Sequence, residues 1–162
     1  MENKTNVQKL TISAMIMALY VIILYVTQSF SFGAYQIRIA TSLYAVSYLC
    51  PFLVLPLGLA NFIANMLFGG LGVVDMIGGC IVGIVTTSCI VAIRKWNLPT
   101  WLIAVPIVLV PGLGVPAYLS QLLHVPYAAL AVSLCIGQLI PSICGVGLIK
   151  ALSLRLKASN RV

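Results

Sequence analysis

Charged side chains are scarce in this sequence. Of its 162 residues 7% are charged, two are acidic and 62% are hydrophobic, and the mean hydropathy is +1.15. A soluble domain has about 25% charged and about 45–50% apolar residues. The composition therefore predicts an all-α integral membrane protein. At about 20 residues per crossing, the chain has room for about six helices and for no additional soluble domain.

The shortage of acids and bases argues against an enzyme. The chain has one histidine, His124, and lacks both the residue spacing of a metal site and the Gly-x-x-x-x-Gly-Lys motif of a phosphate-binding loop. Its five cysteines lie in apolar runs without a Cys-x-x-Cys pair, which is typical of packing residues. We therefore expect no catalytic residue, no metal and no cofactor, and any ATP hydrolysis would belong to partner subunits.

Six apolar segments follow one another in a single predicted domain, residues 1–162. The predicted spans are about 10–28, 37–55, 57–68, 73–93, 100–122 and 127–152. With both termini in the cytoplasm, eight of the nine cations lie on the cytoplasmic side, as the positive-inside rule expects. This rule explains the net charge of +7 without a nucleic-acid partner. The third span is short, since about 12 residues rise only about 18 Å, but the charge distribution favours a real crossing there.

The exception to this charge pattern is Arg38, within the stretch FGAYQIRIATSLYAV. A cation inside a membrane span costs at least about 2.5–3.5 kcal/mol. On a helix that begins near Ile37, Arg38 shares one stripe with Thr41, Tyr44 and Tyr48. Such a stripe suits a flat polar ligand. Alternatively, Arg38 extends to lipid phosphates and the tyrosines form an interfacial belt; spacing alone leaves both interpretations open.

Further polar residues fall at a similar depth. Asn65 is a candidate ligand-binding residue, whereas Asn61, one turn away, is expected to bridge helices. Asp75 is expected to pair with Arg38 or to cap its helix, in preference to direct ligand contact. Gln138 could form a pocket wall or an interhelical hydrogen bond, and the sequence does not separate these roles.

Two pairs of small residues predict close helix contacts. Ala14 and Ala18 are four residues apart on the first span, and Gly79 and Gly83 are four apart on the fourth. Small residues at this spacing let helices approach closely. Such pairs are common in membrane helices, so neither pair alone identifies a partner.

Taken together, FGAYQIRIATSLYAV, LGLANFIANMLFGGLGVVDMIGG and SLCIGQL resemble the substrate-binding S component of an energy-coupling factor (ECF) transporter of the QueT family. The resemblance implies a compact six-helix protein of the cell membrane that imports a queuosine precursor or queuine, a 7-deazaguanine base. It also implies that Ala14 and Ala18 contact the ECF transmembrane coupling subunit, and that two ATPase subunits power release.

The same resemblance places Gln36 and Arg38 near the substrate site and so favours a ligand-facing Arg38. The predicted substrate-binding residues are Gln36, Arg38, Thr41, Tyr44, Asn65, Asp75 and Gln138. The cyano base, the aminomethyl base and mature queuine all remain possible ligands. An S component for another vitamin or heterocycle is the alternative, followed by a structural or assembly membrane protein without a ligand.

Overall fold

A computed structural model describes residues 5–31, 36–69 and 71–159, and within these ranges the chain is helical without strands. The α-helices are α1 (Asn6–Val26), α2 (Gln28–Ser31), α3 (Val54–Ala64), α4 (Val73–Lys95), α5 (Ala104–Leu123) and α6 (Tyr127–Ser159). Short 3-10 helices cover Ile39–Tyr48, Pro51–Leu53 and Thr100–Ile103, and a π-helical turn covers Asn65–Gly69. The predicted all-helical fold is confirmed.

In the part of the chain that the structure describes, five segments are long and apolar enough to cross a membrane: Asn6–Val26, Pro51–Gly69, Val73–Lys95, Thr100–Leu123 and Tyr127–Arg155. Large apolar side chains on these segments point outward, among them Ile22, Ile81 and Ile143. Outward apolar side chains suit a lipid environment, in which the backbone must satisfy its own hydrogen bonds within helices. The chain is thus a multi-pass membrane protein.

The second segment differs from its prediction. Instead of a span over 37–55, the chain forms a ten-residue 3-10 helix, Ile39–Tyr48, and the break falls at Cys50 rather than at Pro56. Cys50 lies outside the helical region (φ −126°, ψ 83°), because a residue before proline is disfavoured there. Pro56 is tolerated inside the first turn of α3, where a proline removes no essential hydrogen bond. The segment from Pro51 onward consequently makes a longer crossing than predicted.

The helical segments run alternately between the two ends of the bundle. At one end, the Tyr25 and Phe68 rings lie 5.5 Å apart between centroids, which joins the end of α1 to the end of the Pro51–Gly69 segment. At the other, Arg94 Nη1 donates to the backbone oxygens of Tyr48 and Leu49 at 2.8 and 2.9 Å. We call these the Phe68 end and the Arg94 end.

The 3-10 helix lies in the centre of the bundle, and every residue from Ala40 to Ser47 is buried. Its Tyr44 ring stacks on Tyr20 of α1, with centroids 5.7 Å apart. Gly145 of α6 packs so closely that an added Cβ would lie 3.2 Å from the backbone oxygen of Ser42. These contacts hold a polar segment against both α1 and α6, where its side chains can form an interior site.

Candidate functional site

The 3-10 helix aligns three polar side chains. With three residues per turn, positions three apart lie directly above one another. Arg38, Thr41 and Tyr44 have this spacing, and all three are buried. Tyr48, predicted on the same stripe from α-helical geometry, lies off it, since four residues exceed one turn of this helix. The hydroxyls of Thr41 and Ser47 donate to the backbone oxygens three residues earlier, at 2.7 Å each, and so add to the 3-10 pattern.

Two asparagines of the neighbouring segment hold the Arg38 guanidinium. Nη1 donates to Asn61 Oδ1 at 3.0 Å, and Nη2 donates to Asn65 Oδ1 at 2.9 Å. Arg38 is 7% exposed, whereas a cation extended to lipid phosphates would be exposed. The interpretation in which Arg38 reaches the lipid is therefore wrong, and its charge lies inside the bundle.

The two amides also bind α4, which fixes their orientation. Asn61 Nδ2 donates to the backbone oxygen of Gly79 at 2.7 Å, and Asn65 Nδ2 donates to that of Asp75 at 3.0 Å. A guanidinium can only donate and a carbonyl can only accept, so each amide has one orientation that satisfies both partners. We call Asn61 and Asn65 the amide clamp. A Cβ on Gly79 would collide with the amide nitrogen of Asn65, so the clamp needs glycine there.

Thr41 connects the 3-10 helix to α6. Its Oγ1 lies 2.8 Å from the side-chain oxygen of Gln138, in addition to its contact with the backbone oxygen of Arg38. A hydroxyl carries one proton and can donate to only one acceptor at a time. One of these two oxygens can therefore accept a hydrogen bond from another donor. Gln138 is 2% exposed, so that donor must come from inside the bundle.

Asp75 lies in the first turn of α4, where a negative charge suits the helix dipole. It is 4% exposed, and Tyr118 Oη of α5 donates to its Oδ1 at 3.1 Å. Gly72 is the N-cap residue of α4, and this helix start has no side-chain capping hydrogen bond, so the cap predicted from Asp75 does not form. Oδ2 is buried and has no hydrogen-bond partner among the described residues. Asp75 therefore retains an acceptor atom within the protein.

A small cavity opens between these groups. Its volume is about 10 Å³, close to that of one water molecule. Its lining comes from the 3-10 helix, from the residues just before it and from all four helices α3 to α6: Gln36, Arg38, Thr41, Tyr44, Asn61, Val82, Pro111, Val115, Leu134 and Gln138. Gln36 adopts a left-handed conformation (φ 42°), which is uncommon for a residue other than glycine.

Five of the seven predicted binding residues line this cavity: Gln36, Arg38, Thr41, Tyr44 and Gln138. Asn65 and Asp75 do not line it, but they belong to the hydrogen-bonded network that holds Arg38. Asn61, predicted to bridge helices, does so and also lines the cavity.

Two kinds of site residue could not be found from the sequence. The apolar lining from Val82, Pro111, Val115 and Leu134 carries no distinguishing pattern, and only Pro111, inside a helix, gave a local signal. No sequence pattern distinguishes Tyr118, and only the fold brings it to Asp75.

The pairs of small residues have different surroundings. Ala14 and Ala18 are both exposed on α1. Gly83, by contrast, faces the interior, since an added Cβ would lie 3.0 Å from Tyr44 Oη and 3.2 Å from Gly58 Cα. The glycine pair of α4 thus serves packing within the chain, and the alanine pair is left available to a partner.

A multi-pass helical bundle with a polar cavity in its interior suits a membrane protein that binds a small polar molecule. Residues 10–154 match the sequence profile of the QueT transporter family. The chain therefore belongs to the QueT transporter family, as the resemblance predicted. No curated protein and no solved structure matches it in these comparisons.

Proposed function

We propose that this protein is the substrate-binding S component of an ECF transporter and that it imports a queuosine precursor or queuine, a 7-deazaguanine base. The observation that carries this proposal is the buried Arg38, held by two amides beside a cavity whose other lining is neutral polar and apolar. A bicyclic base has polar edges and an apolar face, and this mixture of side chains suits both.

The arrangement of donors and acceptors agrees with such a base. Arg38 supplies a directed cationic donor, and a guanidinium binds a ring carbonyl oxygen well. The Gln138 oxygen shares one hydroxyl proton with a backbone oxygen, so it can accept from a ring N–H. The lactam edge of a guanine-like base presents these two groups side by side. A cavity of about 10 Å³ must widen to admit the base, so binding requires the lining side chains to move apart.

We place the Phe68 end of the bundle outside the cell. Apart from Arg38, the cations with described side chains belong to the other end, where helices α1, α4 and α6 begin or end: Lys9, Arg94, Lys95, Lys150 and Arg155. The positive-inside rule assigns that end to the cytoplasm, with both termini. Arg38 and Gln36 then lie toward the outside, from which the base enters.

The partners in this proposal are the ECF transmembrane coupling subunit and two ATPase subunits. Ala14 and Ala18 form its docking contact, and both are exposed on α1. Small residues on an exposed helix face allow a second helix to approach closely. Power for transport would come from the ATPase subunits.

The first experiment is ligand binding by the purified protein in detergent. A base at 100 times its dissociation constant should stabilise the fold by about 2.7 kcal/mol, visible as a raised melting temperature. Arg38→Ala should abolish this shift. A shift with an unrelated vitamin and with no 7-deazaguanine would refute the proposed substrate but keep the S component. A folded protein that responds to neither panel would favour a structural role.

The second experiment tests the partner contact. Ala14→Leu together with Ala18→Leu should prevent co-purification with the coupling subunit and leave base binding unchanged, since both side chains are exposed and neither lines the cavity. Gly147→Leu on α6 is the matched control, because an added Cβ there meets no atom within 4 Å. Equal co-purification of both variants would contradict the proposed contact.

A further inference from the structure

The 3-10 helix ends where a proline removes one of its backbone donors. The amides of Leu49 and Cys50 both donate to the Val46 oxygen, at 3.0 Å each. In a 3-10 helix, the Tyr48 oxygen would accept from the amide three residues further on. That residue is Pro51, which has no N–H. The Tyr48 oxygen therefore needs a donor from another part of the chain.

Arg94 of α4 supplies this donor. Its Nη1 carries two N–H groups and donates to the backbone oxygens of Tyr48 and Leu49, at 2.8 and 2.9 Å. Hydrogen bonds from a charged donor are about twice as strong as those between neutral groups. An α-helix would pair the Tyr48 oxygen with the amide of Phe52 and would not need the guanidinium there. The two bonds from Arg94 therefore favour the 3-10 form of the segment.

The position of Arg94 also has a more general explanation. Arg94 and Lys95 both lie in the last turn of α4. Cations there suit the helix dipole and are frequent on the cytoplasmic side of membranes. Lys95 is exposed, whereas Arg94 is half-buried and reaches the end of the 3-10 helix. This contact separates the role of Arg94 from that of its neighbour.

The end of the 3-10 helix lies close to the cavity wall. Thr41 and Tyr44 both line the cavity, and they share a face because the helix has three residues per turn. Tyr48 lies four residues after Tyr44, which is about 8 Å along the helix axis at a rise of about 2.0 Å per residue. A change of register at this end would therefore move side chains that form the cavity wall.

We propose that Arg94 is a positioning residue for the ligand site: it holds the end of the 3-10 helix and so fixes the register that brings Thr41 and Tyr44 to the cavity. Its effect on ligand binding rests on the proposed function, whereas its effect on the helix does not. Arg94 does not line the cavity. The site can thus be weakened from the Arg94 end of the bundle without any contact with the ligand.

Base affinities of matched variants test the inference. The ligand is whichever of the cyano base, the aminomethyl base and queuine binds the wild type most tightly. In titration calorimetry of the purified protein, Arg94→Met should weaken binding at least tenfold. Lys95→Met removes the same charge from the same helix turn and should stay within about twofold of the wild type. Equal affinities of these two variants would overturn the inference.

The conservative variant provides a rescue. The ammonium of Arg94→Lys has three N–H donors, enough for both carbonyl oxygens. This variant should bind the base more tightly than Arg94→Met does. A lysine variant that binds no better than the methionine variant would show that donation to these oxygens is not the basis of the effect.

A packing variant separates positioning from a general loss of stability. Ile103 is 0% exposed and ends the short 3-10 helix before α5. Truncation of a buried isoleucine lowers stability through lost packing. Whichever of Ile103→Val and Ile103→Ala melts closest to Arg94→Met should keep the base affinity of the wild type. An equal loss of affinity in this control would assign the effect to stability and overturn the inference.

Hydrogen exchange provides a test that needs no ligand. Backbone amides of residues 39–50 should exchange faster in Arg94→Met than in Lys95→Met, because a helix end without its two bonds opens more readily. Exchange in α6 (Tyr127–Ser159) should be the same in both variants. Lost affinity with unchanged exchange over residues 39–50 would show that Arg94 does not act through the 3-10 helix, and would overturn the inference.

The two measurements also separate this inference from the proposed function. A wild type that melts cooperatively but binds none of the three bases would refute the proposed substrate class. The exchange comparison would then still decide whether Arg94 fixes the 3-10 helix, since equal exchange in the two variants would refute that role.

Discussion

The bond between Arg38 and Asn65 should be one of the strongest side-chain interactions of this bundle. Asn65→Leu removes the acceptor 2.9 Å from Nη2 and the donor 3.0 Å from the backbone oxygen of Asp75. A hydrogen bond to a charged group contributes about 1.5–3 kcal/mol, and a buried donor left unsatisfied, here Arg38 Nη2, costs about 1–3 kcal/mol. We expect Asn65→Leu to lower the free energy of unfolding by about 3–5 kcal/mol.

A double-mutant cycle isolates the part that belongs to Arg38. Arg38→Met, Asn65→Leu and the double variant should give a coupling energy of about 1.5–3 kcal/mol, because the double variant leaves no buried charge unsatisfied. Hydrogen bonds between membrane helices average only about 0.6 kcal/mol, since the unfolded chain in the membrane also finds partners. The coupling should exceed that average because Arg38 is charged and 7% exposed.

Reversible unfolding in mixed detergent micelles, followed by circular dichroism, provides the measurement. Thr86→Val is the control, because the Thr86 hydroxyl, 0% exposed, bonds 2.6 Å to the Val82 oxygen of its own helix. Its loss should lower stability by less than about 1 kcal/mol, since that oxygen keeps its backbone partner. A coupling energy at or below about 0.6 kcal/mol would show that the clamp is no stronger than an ordinary interhelical bond.

Two further predictions use matched variants. Gly79→Ala should lower the free energy of unfolding by about 1–3 kcal/mol, because its Cβ displaces the amide of Asn65, whereas Gly147→Ala meets open space. Equal melting temperatures of the two glycine variants would contradict this prediction. Tyr118→Phe should lower the free energy of unfolding by about 1.5–3 kcal/mol, because it removes a donor to a buried carboxylate. Tyr127→Phe loses a bond to an exposed backbone oxygen and should lower the free energy of unfolding by less than about 1 kcal/mol. Thermal unfolding measures both, and a larger loss for Tyr127→Phe would refute the reasoning.

Much of the fold could be predicted because a membrane leaves few alternatives. Long apolar runs must be helical in lipid, so helices close to the predicted limits of the fourth, fifth and sixth spans follow from composition alone. Arg38 could be singled out for the same reason, since a cation in such a run needs a partner. The partner itself could not be identified, because Asn61 and Asn65 lie more than 20 residues away and only packing of α3 beside the 3-10 helix brings them to it.

The helix type of the second segment could not be predicted from the sequence. At 3.6 residues per turn Tyr48 lies about 40° from Tyr44 around the helix and so joined the predicted stripe, whereas at 3.0 residues per turn it lies about 120° away. The choice between the two helices depends on burial from all sides and on Arg94, which binds the carbonyl oxygens where the 3-10 helix ends. Both are properties of the assembled bundle.

The ten-residue length of the 3-10 helix has a consequence for the polar stripe. Rewinding of this segment into an α-helix would shorten it by about 5 Å, since the rise falls from about 2.0 to about 1.5 Å per residue. Each step of three residues would then fall about 60° short of a full turn. Thr41 would rotate away from Arg38 by that angle and Tyr44 by about 120°, which would disperse the three groups around the helix. The local pitch of the backbone thus controls whether these side chains face one cavity, and a change in pitch could remove the site without altering any of its residues.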